Sequence, residues 1–215
     1  MPFEKPVDTV DPKKLLQDIC HNYSPEVLDQ IKQRYLRLST EELDIFLVPA
    51  ENVILKKIVW PLRSAKAAFC LSDYLACIAL CGFVCEMAVV FICDLVPTLW
   101  DLNTLKPQDK ETLLKGEYEK WGQKKRVKHL KRIGAITERF AAEADAVRKI
   151  RREYIHFLTK DFANLEADAY EAYKATFNIV KPLVALPIGE KGKIAIPRQL
   201  RAYLDSKGIV SSGGN

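Results

Sequence analysis

The sequence predicts an all-α fold: a helical bundle with an up-and-down core of four to five long helices, short N-terminal helices and a small C-terminal arm. Apolar residues recur at helical spacing through most of the chain, and several segments open with a capping residue followed by proline. No alternating strand of useful length precedes Pro187. The 215 residues, 48% of them hydrophobic, are enough to bury a core without disulfide bonds.

Short helices are predicted for the N-terminal part of the chain. Segments 11–20 and 24–38 each begin with an Asp or Ser cap followed by proline, which suits the first helical position. A further short helix begins near Thr40, and another is expected over 51–60. Pro61 should kink or end that helix, because a proline inside a helix removes one backbone hydrogen bond.

The segment 65–97 is almost entirely apolar, and residues 74–93 contain a single charge, that of Glu86. Its length is sufficient to span a membrane. A carboxylate near the centre of a bilayer costs about 2.5–3.5 kcal/mol, which disfavours this interpretation. We therefore expect no membrane span but a central helix that the other helices surround and that stops before Pro97.

Long helices make up the second half of the predicted bundle. A charged helix is expected over 109–132, either continuous or interrupted at Gly116 or Gly122, and Gly134 closes it. The next helix, 137–158, begins with a threonine cap.

The last long helix, 164–184, places its apolar side chains on one stripe. Beyond it, 192–197 is compatible with a short strand and 198–206 with an amphipathic helix. We accordingly divide the chain into an N-terminal helical segment (1–60), a helical bundle (61–186) and a C-terminal arm (187–215).

The six cysteines favour a reduced interior over a metal site. Cys77, Cys81 and Cys85 recur every four residues, which places them on one stripe of a helix. Such a stripe is typical of close core packing and rarely supplies the tetrahedral geometry of zinc. The N-terminus lacks the pattern of a secretory signal, so we expect a cytoplasmic protein with reduced thiols. No metal and no other cofactor is expected.

Positive charge is concentrated in one part of the chain. Residues 120–152 contain twelve Lys or Arg and three Asp or Glu, a net charge of +9, whereas the other 182 residues sum to −4. Such a localised field favours a polyanionic partner through attraction and counterion release. The alternative is a solvated helix face whose charges mainly provide solubility.

A short motif indicates a more specific function. Arg151, four intervening residues and His156 follow one another in a basic helical segment. Residues 130–156 resemble the carboxy-terminal half of HEPN-superfamily domains, small helical bundles marked by an arginine and a histidine four to six residues apart. The predicted order of helices is compatible with these domains, so the resemblance covers about 71–184. Arg152 stands where the family usually has Asn or another small polar residue.

The resemblance implies RNA binding or metal-independent RNA cleavage by a homodimer, in a stress response or phage defence. The implied catalytic residues are Arg151, Arg152 and His156, with Glu86 as the acidic residue of an earlier helix. The histidine would take the proton of a ribose 2′-hydroxyl or protonate the leaving oxygen, while arginine stabilises the phosphorane. The residues expected to bind the RNA are Lys124, Lys125, Arg126, Lys128, His129, Lys131, Arg132, Arg148 and Lys149.

Helical geometry separates the two adjacent arginines of the motif. Arg151 falls on the apolar side of its helix, whereas Arg152 and His156 lie only about 40° apart on the polar side. Arg152 is therefore an alternative partner for the histidine. We hypothesise that Arg151 pairs with Glu86, because a carboxylate in a core helix needs a partner.

Other classes of function stay open. The chain could be a non-catalytic helical interaction module in which His156 is structural and the basic segment docks a protein or a nucleic acid. A membrane-associated helical protein built on segment 65–97 is the less favoured alternative. The sequence does not identify a protein partner.

Overall fold

The predicted all-α fold is confirmed by the computed structural model, which describes residues 25–39, 53–99, 101–156 and 161–184. These residues form seven α-helices and two short 3₁₀ helices, with no strand among them. The α-helices are α1 (Pro25–Ser39), α2 (Val53–Cys70), α3 (Tyr74–Leu99), α4 (Pro107–Leu114), α5 (Gln123–Arg132), α6 (Glu138–His156) and α7 (Leu165–Val184); the 3₁₀ helices are Leu102–Thr104 and Glu117–Lys120.

Helix α3 is the centre of the bundle. It packs against α2, α4, α5, α6 and α7, while α1 lies against α2. Because several helices cover it, α3 has no dominant apolar stripe and is hydrophobic almost all round, as a buried helix should be. Its side chains Cys81, Val84 and Val89 are completely buried.

The cysteines of α3 are core residues. Cys77, Cys81, Cys85 and Cys93 are free thiols without solvent exposure. Burial raises the pKa of Cys85 and of Cys93 to about 12, because a thiolate is poorly solvated in this interior. In the described part of the chain, no group of three or more His, Cys, Asp or Glu side chains could hold a metal ion.

One described segment, Tyr74–Pro97 of α3, is long and apolar enough to cross a membrane. Its mean hydropathy is 2.5, and 56% of it is buried inside the protein. Core helices of soluble proteins share this length and composition, so the absence of a membrane span stays a prediction.

Two prolines lie inside helices, although Pro61 was expected to kink or end α2 and α3 was expected to stop before Pro97. Helix α2 continues through Pro61 to Cys70, and α3 includes Pro97 before ending at Leu99. A proline inside a helix costs about 3 kcal/mol. On both sides of Pro61, α2 places apolar side chains in the core, Val59 and Leu62 among them, and this burial offsets the lost hydrogen bond.

The charged segment is three short helices rather than one long helix. The breaks occur at both of the glycines that were considered. Gly116 adopts a left-handed conformation with φ of +63°, and Gly122 is the extended N-cap of α5. The breaks reorient the chain, so that α5 packs against both α3 and α6.

The C-terminus of α5 and the N-terminus of α6 lie where the glycine and threonine signals predicted them. Gly134, with φ of +78°, follows α5 and completes a Schellman motif, in which the Ala135 amide donates to the Leu130 carbonyl at 2.8 Å. The Thr137 hydroxyl accepts from the Phe140 amide at 3.2 Å and caps α6.

Some predictions fall outside the described residues. These are the helices expected at 11–20 and near Thr40, and the strand and helix of the C-terminal arm. The boundary predicted between residues 60 and 61 lies within α2, which also packs against α3.

Replacement of Leu130 tests the packing of α5 on the core. Leu130→Ala should lower the free energy of unfolding by about 2–5 kcal/mol, since the side chain is fully buried and its removal leaves a cavity. Leu114→Ala is the matched control, because Leu114 is 58% exposed. Urea unfolding of both variants measures the difference, and equal losses would contradict the packing described here.

Candidate nucleic-acid interface

The predicted motif residues line one open cleft at the C-terminal end of α6. Its volume is about 360 Å³, and its lining side chains are Arg148, Arg151, Arg152 and His156. The residues that line this cleft therefore carry three guanidinium groups and one imidazole. Cations at the end of a helix are stabilised by the negative end of its dipole. The Arg152 and His156 side chains are exposed, as their positions on the polar side of the helix predicted.

Arg151 faces the bundle, and its predicted pairing with Glu86 is present. Arg151 Nη1 lies 3.7 Å from Glu86 Oε2, and about a third of each side chain is exposed. The ion pair connects α6 to the central helix at the edge of the cleft. It also explains how a carboxylate is tolerated in a stretch of α3, residues 74–93, that is otherwise apolar.

The aliphatic part of Arg151 crosses α3 at Gly82. A Cβ atom placed on Gly82 would lie 2.1 Å from Arg151 Cδ, far closer than van der Waals contact. The glycine is therefore required for Arg151 to take this path to Glu86. Gly82 was not among the predicted site residues, although a glycine in the middle of an apolar helix is a usable signal of close approach.

Glu86 has a second cationic partner in Arg126. Arg126 Nη1 lies 3.2 Å from Glu86 Oε1. Its Nε and Nη2 donate to the backbone carbonyls of Tyr118 and Glu119, both at 2.8 Å. The side chain of Arg126 is thus fixed by three acceptors and joins α5 to α3.

Two members of the predicted RNA-binding set, Arg126 and His129, have almost no solvent-exposed surface. Arg126 is 6% exposed and His129 is 5% exposed. Both belong to the face of α5 that includes Val127 and Leu130 and packs against the bundle. Helical spacing from these apolar residues was the signal that could have placed them inside.

His129 is held by groups from three segments. Arg132 Nη2 lies 3.0 Å from His129 Nδ1, and Asp109 Oδ1 lies 3.7 Å from it and also accepts from Arg132. The Trp121 ring contacts the imidazole edge to face, with centroids 5.2 Å apart. Burial lowers the pKa of His129, and the positive charges of Arg132 and Lys125 lower it further, against the raising effect of Asp109.

The remaining predicted RNA-binding residues are exposed or partly exposed. On α6, Arg148 donates to Asp145 Oδ1 at 2.7 Å, and Lys149 Nζ lies 3.1 Å from Asp145 Oδ2. The hydrogen bond from Arg148 is the main reason that the pKa of Asp145 is below its ordinary value. On α5, Lys131 pairs with Glu138 at 2.7 Å. The exposed cations of α5 are Lys124, Lys125, Lys128, Lys131 and Arg132.

Comparison of the chain with protein-family models, with curated proteins and with solved structures finds no match. The resemblance to HEPN domains therefore depends on the motif at Arg151 and His156 and on the order of the helices.

Replacement of Gly82 tests the path of Arg151. Gly82→Ala should push the Arg151 side chain off α3 and separate it from Glu86, because the new methyl group occupies its position. The free energy of unfolding should change by less than about 1.5 kcal/mol, since the arginine can swing outward and alanine favours a helix by about 1 kcal/mol. A crystal structure of the variant measures the Arg151–Glu86 distance.

Gly122→Ala is the control, because a Cβ atom there meets nothing within 4 Å. An Arg151–Glu86 contact that survives in Gly82→Ala would contradict this account of the cleft.

The lowered pKa of His129 predicts a loss of stability in mild acid. In the unfolded chain this imidazole takes up a proton near its ordinary value of 6.5, whereas in the folded protein it does so only at lower pH. The unfolded state thus binds more protons as pH falls through this range, and the free energy of unfolding decreases. The wild-type Tm should fall more between pH 7.5 and pH 5.5 than that of His129→Gln. Parallel curves for the two proteins would contradict the prediction.

Proposed function

We propose that the chain binds RNA in the cleft at the end of α6 and cleaves it as a homodimer, without a metal ion. One observation carries this proposal: Arg148, Arg151, Arg152 and His156 line the same open cleft. Arginine is suited to phosphate because its planar guanidinium donates two parallel hydrogen bonds. An exposed imidazole beside these groups adds a side chain that can accept or donate a proton.

The chemistry that suits these groups is attack by the ribose 2′-hydroxyl on the adjacent phosphate. A bond forms between the 2′-oxygen and phosphorus, while the bond from phosphorus to the 5′-oxygen breaks. His156 takes the proton of the 2′-hydroxyl, and the guanidinium groups stabilise the charge that develops on the phosphorane. The products are a 2′,3′-cyclic phosphate and a 5′-hydroxyl.

A homodimer would complete the proton transfers. An in-line displacement needs a base at the attacking oxygen and an acid at the leaving oxygen, on opposite sides of the phosphorus. The described lining of the cleft supplies a single imidazole, and His129 is buried elsewhere. The same histidine of a second copy, facing the same groove, would protonate the leaving 5′-oxygen.

Arg152 is the arginine that we assign to direct contact with the phosphate. It lies one helical turn from His156 on the exposed side of α6. Arg151 contacts Glu86 and lies at the edge of the cleft. The exposed lysines of α5 add contacts with the phosphate backbone, so affinity for RNA should fall steeply as salt increases.

RNA cleavage in the presence of EDTA tests the proposed function. Purified full-length protein should cut RNA to products with 2′,3′-cyclic phosphate ends, and should leave an oligonucleotide with a 2′-deoxy sugar at the cut position intact. His156→Ala should lower the rate by at least ~100-fold, because general acid–base catalysis contributes this much. Arg152→Ala should also lose activity.

Arg139→Ala is the matched control, since Arg139 is an exposed arginine of α6 that does not line the cleft. Full activity in His156→Ala would overturn the catalytic assignment. If no RNA is cleaved, the proposed nuclease activity is overturned and the alternative of a non-catalytic interaction module is favoured.

A further inference from the structure

A second pocket lies on α5, apart from the cleft of α6. Its volume is about 260 Å³, and it is lined by Trp121, Lys125, Lys128, His129 and Arg132. None of these residues lines the cleft at His156. The lining combines three cationic side chains, an indole and a buried imidazole.

The contacts of His129 determine which of its nitrogens carries the proton. A guanidinium can only donate hydrogen bonds, so Nδ1, 3.0 Å from Arg132 Nη2, must be the acceptor. The lowered pKa keeps this imidazole neutral at neutral pH. The proton of the neutral ring is therefore on Nε2, which becomes a hydrogen-bond donor.

This donor has no acceptor among the described residues. His129 Nε2 is buried and makes no hydrogen bond there. A buried polar group without a partner costs roughly 1–3 kcal/mol, so most native proteins satisfy such groups with protein, water or ligand. An acceptor that reached Nε2 from the pocket, by displacing lining side chains, would remove this cost.

The charges around the pocket favour binding of an anionic ligand. Lys128 has no ion-pair partner among the described residues, and Lys125 Nζ lies 4.0 Å from the centroid of the Trp121 ring. Arg132 is 59% exposed, although Asp109 offsets part of its charge. With Asp109 included, the surroundings of His129 keep a net positive charge.

We propose that this pocket binds a phosphate group, with Lys125, Lys128 and Arg132 neutralising its charge and His129 Nε2 donating a hydrogen bond to one of its oxygens. The pocket is smaller than the roughly 300–1,000 Å³ of sites for drug-sized ligands, which suits a single phosphate rather than a whole nucleotide. The phosphate belongs either to the backbone of an RNA or to its 5′ end. The inference deepens the proposed function, on which it rests for the RNA.

Nuclear magnetic resonance of the histidine rings tests the pocket directly. The chain has three histidines, so ¹⁵N-histidine spectra of the full-length protein can be assigned by substitution. Before any addition, His129 should show the tautomer with its proton on Nε2. Titration with inorganic phosphate at constant ionic strength, balanced with chloride, should shift this signal to saturation.

Two lysine variants distinguish a site from general charge. Lys128→Gln should weaken phosphate binding by about tenfold, the effect of losing one hydrogen bond to a charged group. Lys120→Gln removes the same charge from the preceding 3₁₀ helix, outside the pocket, and should leave the affinity nearly unchanged. No saturable shift, an equal shift with chloride, or equal weakening by both variants would overturn the proposal.

Short RNA oligonucleotides with and without a 5′-phosphate identify the source of the phosphate. Saturation by both indicates the backbone, and saturation by the phosphorylated one alone indicates the 5′ end. The two proposals fail separately. Phosphate binding without RNA cleavage would support the phosphate site and overturn the proposed nuclease activity. RNA cleavage with no change in the His129 signal would overturn only the phosphate site.

Discussion

The carboxylate of Glu86, held between two guanidinium groups, is the constraint on which the rest of the structure depends. It lies on the central helix and contacts Arg126 of α5 and Arg151 of α6 through different oxygens. Three helices are thereby joined at one point. The loss of either arginine would leave this partly exposed carboxylate with one guanidinium partner instead of two.

Most of the fold could be predicted because local signals and burial agree in the long helices. Thr137 and Gly134 define their helix boundaries through backbone geometry that depends only on neighbouring residues. Helix α2 does not end at Pro61 and α3 does not stop before Pro97, because the local cost of a proline is outweighed by burial of α2 and α3 against distant helices. That burial cannot be determined from residues near the proline.

The candidate site was predictable where residues share one helix. Arg151, Arg152 and His156 are close in sequence, so helical spacing determines their relative positions. The roles of Arg126 and His129 were not predictable from charge, since both contribute to a basic stretch but face inward. Gly82 and Asp109 were not predicted as site residues for a related reason. The role of each depends on a side chain from another helix: Arg151 crosses α3 at Gly82, and Arg132 pairs with Asp109.

The buried thiols of the central helix can report on the dynamics of the molecule. The thiolate is the form of cysteine that reacts with alkylating reagents. At Cys85 and Cys93 packing excludes the reagent, and the raised pKa keeps the thiol protonated. These sulfur atoms can therefore be modified only when α3 separates transiently from the helices packed against it. The rate of their labelling under native conditions is therefore a natural record of how often the interior opens, available without introducing any probe.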